Sequence, residues 1–126
     1  MSVKYTINER GNPLQPKQPK KWYANARSTG NTTLRTLSKE IAARSTVSPA
    51  DTQAVLIALT EVLVEHLAEG RIVRLGDFGA FQVSVSSTGA ETEAKFNASL
   101  IKSNKVIFRP GIDLREMQKN LKFEKV

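Results

Sequence analysis

One segment dominates what this chain can fold into. From Ser48 to Gly70 the sequence reads SPADTQAVLIALTEVLVEHLAEG, a helix with a written start and stop. Ser48 is a cap, Pro49 suits the first helical position, and Asp51 stands three after the cap. Gly70 supplies the left-handed terminator after Glu69. Val55, Leu56, Ile57, Leu59, Val62, Leu63, Val64 and Leu67 exceed one apolar stripe. A helix apolar around most of its circumference must be covered on more than one side. In a chain of 126 residues a second copy can supply part of that cover, and the pattern predicts a homodimer. Glu61, Glu65 and Glu69 mark its wet edge.

The surrounding elements follow from period and punctuation. A first helix is expected from about Leu34 to Ala43, capped by Thr32 or Thr33, with Leu34, Leu37 and Ile41 as its stripe. After Gly70 the period becomes extended. Ile72 to Leu75 and Ala80 to Val85 read as two strands around a turn at Gly76-Asp77, with Phe81, Val83 and Val85 inward and Gln82 and Ser84 outward. Residues 86–104 read as a projecting or loosely ordered arm, Lys105 to Phe108 as a strand, and Ile112 to Leu121 as a short last helix after Pro110-Gly111. The fold class is α+β: two helices packed on an antiparallel hairpin sheet with an arm and a closing helix.

The first 30 residues stand apart as an extension, leaving 31–126 as the main domain. Val3, Tyr5 and Ile7 alternate as a short strand. Pro13, Pro16 and Pro19 then stiffen an extended course. This course is expected to be a surface strap leading Trp22 and Tyr23 to a packing site. A ligand for an aromatic groove, and hence a protein partner, is the other reading. Trp22 beside Lys20 and Lys21 also offers a face on which a base can stack.

Charge narrows the partners. The chain carries +7 overall, with +5 in residues 1–30, −2 in 31–70, +1 in 71–104 and +3 in 105–126. Basic ends around a mildly acidic middle favour an acidic partner, nucleic acid first. With no cysteine, thiol catalysis, disulfides and thiolate metal sites are excluded. His66, the single histidine, has no partner for a zinc site, so neither metal nor cofactor is expected. Asp77-Phe78-Gly79 matches a kinase tripeptide without the nucleotide loop a kinase needs. Glu91 and Glu93 lie in a polar loop with nothing to raise a pKa. The chain reads as no enzyme. Its polar N-terminus has no signal-peptide run, and no stretch is apolar for long enough to span a membrane.

The run Gly70-Arg71-Ile72-Val73-Arg74-Leu75-Gly76-Asp77-Phe78-Gly79-Ala80-Phe81 resembles the central segment of the bacterial histone-like nucleoid proteins, the HU and integration host factor family. Phe108-Arg109-Pro110-Gly111-Ile112-Asp113-Leu114-Arg115 resembles that family's return from arm to final helix. Gly76, Phe78, Gly79, Phe81, Pro110 and Gly111 carry the likeness, which covers about Leu34 to Leu121. It is closest to an extended subgroup with an extra N-terminal segment. The resemblance implies an intertwined homodimer, nucleoid-associated and cytoplasmic, that binds double-stranded DNA with little sequence preference. Arg71, Arg74, Lys95, Lys102, Lys105, Arg109 and Arg115 would be phosphate contacts, with Lys17, Lys20 and Lys21 as secondary ones. One departure bears on function. The family's arm tip, of the type Arg-Asn-Pro-x-Thr-Gly, carries a proline that wedges between base steps. Here the corresponding stretch has no proline, and residues 86–104 have no net charge. An arm without positive charge loses much of the counterion-release contribution to DNA affinity.

Overall fold

In the computed structural model, which describes residues 1–126, the expected long helix α2 spans Pro49–Ala68. The Ser48 hydroxyl accepts from the Asp51 N–H at 3.1 Å, so the cap works as the sequence spells it. At the other end Gly70, with φ +81°, lets its N–H reach Leu67 and the Arg71 N–H reach His66. Two carbonyls of the last turn are thereby satisfied. Helix α1 spans Leu34–Ala43 and packs on α2.

The order of elements is β1 (Val3–Arg10), β2 (Lys21–Arg27), α1, α2, β3 (Val73–Arg74), β4 (Gly79–Ser87), β5 (Ile101–Pro110), α3 (Ile112–Lys119) and β6 (Phe123–Lys125). The strands make two separate sheets, β2-β1-β6 and β3-β4-β5. The chain divides into two units, Met1–Thr33 with Met117–Val126, and Leu34–Glu116.

The first unit departs from the expected strap. The proline-spaced segment is the loop of an antiparallel hairpin, with Lys4 opposite Arg27 and Arg10 opposite Lys21. Trp22 lies in β2 and is 63% exposed, so it does not pin the extension to a core. The basic tail beyond α3, grouped in sequence with the main domain, instead forms β6, parallel to β1, with Val3 opposite Phe123. Pairing sorts the faces, because residues opposite one another project to the same side. Val3, Tyr5, Ala24, Ala26 and Phe123 line a groove of about 530 Å³ on one side.

In the second unit β4 and β5 pair from Gly79↔Pro110 to Ser87↔Ile101. The sheet therefore runs into the region expected to be a projecting or loosely ordered arm. Ile101–Asn104 are strand, and short 3₁₀ turns at Glu93–Lys95 and Ala98–Leu100 close the tip. The Thr88 N–H donates to the Leu100 carbonyl at the base of that tip. The last helix stops at Lys119, two residues short of expectation. Phe108 packs at 4.8 Å from Phe81 and 5.7 Å from Phe78, ring centre to ring centre. Phe81 is half-buried, as its inward assignment requires, but Val83 and Val85 are exposed. Nothing within one chain covers the outer half of that face. Indeed no apolar side chain is fully buried; only Ser38, Thr52 and Gly79 are.

Candidate nucleic-acid interface

The turn between β3 and β4 creates the site. Gly76 sits at φ +54°, which glycine adopts without a Cβ penalty. This turn brings the carbonyls of Asp77 and Phe78 onto the start of α3. The Gly111 N–H donates to Phe78 at 2.8 Å and the Asp113 N–H to Asp77 at 3.2 Å. Orphan donors of the helix start are thus satisfied by backbone, not by a side-chain cap. Gly111 allows the approach, since a Cβ there would lie 2.2 Å from the Asp77 oxygen.

Register then selects the side chains. Arg74 pairs with Ala80, and Ala80 with Arg109, so all three share one face of the sheet. Two residues further along each strand, Gln82 opposite Ile107 and then Ser84 opposite Lys105 continue that face. Arg115, one turn into α3, completes the group. A concavity of about 250 Å³ is lined by Arg74, Gln82, Arg109, Pro110 and Arg115, and no carboxylate lines it. Beside Arg74 and Arg109, the small Ala80 leaves the concavity open. On the opposite face Phe81 pairs with Phe108 and Val83 with Val106. The sheet is therefore mainly basic and polar on one side, Ile107 apart, and mainly apolar on the other, Asn104 apart.

The other expected contacts lie elsewhere. Arg71 follows the end of α2, where its guanidinium pairs with Glu69 at 3.0 Å and meets His66 Nδ1 at 2.9 Å. Lys95 is held by Glu91 at 3.1 Å within the arm tip. Lys102 falls at the irregularity between the pairs Ser86↔Ser103 and Ser87↔Ile101. Lys17 and Lys20 lie in the hairpin loop of the first unit, and Lys21 begins β2. In the sequence Gln82 is marked only as outward; its place beside the arginines follows from the β4–β5 register. No three residues among His, Asp and Glu come together as a metal site. No helix is long and apolar enough to cross a membrane.

Comparison with known proteins agrees with this fold. The chain is similar to a crystal structure of a Bacteroides vulgatus protein described as a "putative bacterial DNA binding protein", at 15% identity and a TM-score of 0.66. That match covers 99% of this chain and 48% of the other, so the chain spans about half the length of that relative. It is also similar to HU of Anabaena, solved in a cocrystal with DNA, at 20% identity and a TM-score of 0.56, over 71% of this chain and 99% of that one. No curated protein matches the chain. The family model described as an HU domain fused to a wHTH, Ig or glycine-rich motif matches residues 1–125, and the chain belongs to this HU-HIG family.

Proposed function

We propose that this HU-family chain binds duplex DNA as a homodimer, without catalysis and with little sequence preference. The observation that carries the reading is the concave basic face: Arg74, Arg109 and Arg115 gathered around an acid-free hollow, with Lys105 further along the same strip. Arginines presented without ion-pair partners suit phosphate oxygens, and such contacts position a duplex without reading its bases. The fold shared with the Anabaena protein and the net charge of +7 support the same partner. Association with the nucleoid follows from binding of this kind.

The homodimer is supported by the apolar surface that one chain leaves uncovered on α2, where Val55, Ile57, Leu59, Val62 and Val64 are all exposed. A helix apolar around most of its circumference needs cover on more than one side.

The test is titration of a fluorescent mixed-sequence duplex between about 50 and 200 mM salt. The parent protein should show a steep negative salt slope. R74Q/R109Q/R115Q should flatten the slope by about 2.7 for each chain engaged, or about 5 for a dimer using both copies. A folded variant with unchanged affinity and slope would remove these arginines from the interface. A well-folded parent dimer with no duplex binding would instead favour a protein-interaction module.

A further inference from the structure

The sheet of the first unit is as strictly two-sided as that of the second. Register puts Lys4 with Arg27, Thr6 with Asn25, Asn8 with Tyr23, and Arg10 with Lys21, all on one face. The apolar residues Val3, Tyr5 and Ile7 take the other face, and Glu9, opposite Trp22, goes with them. The acid of the hairpin is thus on the side away from its cations. Only Glu124, beside Lys4 in the register, brings a carboxylate to the basic face, and it is engaged by Lys4 and Ser2. The three ion pairs of the structure use Lys4, Arg71 and Lys95, which leaves Arg10, Lys21 and Arg27 outside them. Arg10 is also set in place. Its Nη2 donates to Asn25 Oδ1 at 2.9 Å, and its guanidinium lies 5.9 Å from the centre of the Tyr23 ring.

We infer that this face, through Arg10, Lys21 and Arg27, is a second contact for the phosphate backbone of duplex DNA, separate from the Arg74–Arg109–Arg115 hollow. The inference rests on the DNA-binding reading and adds a surface to it. Charge complementarity identifies the occupant. Three cations without ion-pair partners stand on a face of amides, hydroxyls and one ring, and its one carboxylate is engaged. Lys21 and Arg27 are six strand residues apart, about 20 Å, which matches the length of about six base steps. Amide and hydroxyl groups of Thr6, Asn8 and Asn25 lie between them, as donors to further phosphate or sugar oxygens. Lys17 and Lys20, in the loop, are not part of this face.

The experiment uses the full chain and the same duplex titration. R10Q/K21Q/R27Q should flatten the salt slope by about 2.7 per chain engaged. The matched control K39Q/K119Q/K125Q removes equal charge from other positions and should leave the slope within about 0.5 of the parent, less than a single phosphate contact contributes. R10K/K21R/R27K, which keeps every charge, should bind like the parent. Should loss of the Arg10–Asn25 contact unfold the hairpin, K21Q/R27Q leaves that contact intact and should still flatten the slope by about 1.8 per chain. A parent-like slope in the folded variants, or an equal loss in the control, overturns the second contact while R74Q/R109Q/R115Q still reports on the first. Absence of salt-dependent binding by the parent overturns both.

Discussion

Replacing Gly111 by alanine tests the joint that builds the interface. A Cβ at this position would stand 2.2 Å from the Asp77 oxygen and 2.9 Å from the Phe78 carbonyl carbon. Both neighbours are backbone, so no side chain can swing away. The turn must retreat by about 1 Å to restore ordinary contact, and such a shift stretches both hydrogen bonds that hold it, Gly111 to Phe78 and Asp113 to Asp77. At about 1 kcal/mol net for each bond, and more if a donor is left unsatisfied, the loss is about 2–4 kcal/mol. Gly76→Ala is the control. It has open space around its Cβ position, so only the left-handed backbone is penalised, at about 1–2 kcal/mol. Urea unfolding at one fixed protein concentration reads the difference. With m of about 2 kcal/mol per molar, G111A should move the midpoint down by about 1–2 M and G76A by about half as much. Equal midpoints for the two variants would refute the docked turn as the source of the cost.

Three further outcomes follow from single contacts. Lys4 and Ser2 hold the Glu124 carboxyl below its usual range, chiefly through the Lys4 hydrogen bond. Ionised Glu124 therefore favours the folded tail above the ordinary carboxylate pKa, and this contribution fades as pH falls through the lowered value. A Lys4→Ala variant should return the Glu124 side-chain titration, followed by NMR, towards the ordinary glutamate range. Val106→Glu places a charge on the exposed apolar face of the β4–β5 sheet, and light scattering should show a lower mass than the parent if a second copy covers that face; an unchanged mass would leave the face uncovered. Glu91→Gln releases Lys95 from its ion pair and should steepen the salt slope by about 0.9 per arm, whereas an unchanged slope would keep the arm off the backbone.

What was legible in the sequence was local. The Ser48 cap, the proline after it and Gly70 act within a few residues of themselves, and α2 begins and ends where they say. The turn at Gly76-Asp77 is of the same kind. Pairings distant in sequence left weaker marks. Phe123-Glu124-Lys125 is too short to show a period, and its strand exists only because β1 lies beside it. Lys21–Arg27 alternates a basic or polar residue with an apolar one, but three prolines upstream masked it as the return strand of a hairpin. Val83 and Val85 follow the correct alternation and project to the apolar side, yet that side is open in a single chain. Alternation gives the face; it does not give the neighbour. The basic hollow shows the same limit. Arg74, Arg109 and Arg115 were each visible, but their convergence depends on which residue faces which across three strands.

The net charge of +7 overstates the cations available to a polyanion and hides where they stand. Arg71 closes a helix end with Glu69, Lys95 serves Glu91, and Lys4 serves Glu124. Each exposed pair adds little stability, but it offsets a charge that would otherwise attract phosphate. The acids doing this lie at a helix terminus, the arm tip and a sheet edge, and none of them lines the hollow between Arg74 and Arg115. Asp77 lies close to that hollow in sequence, yet its carbonyl docks α3 and its side chain does not line the hollow. With the arm neutral and lacking a proline, the proposed interface relies on the sheet surfaces, where strand parity separates cations from acids, and on Arg115 of α3. Such an interface depends on counterion release more than on wedging between bases, so salt should weaken it uniformly across sequences.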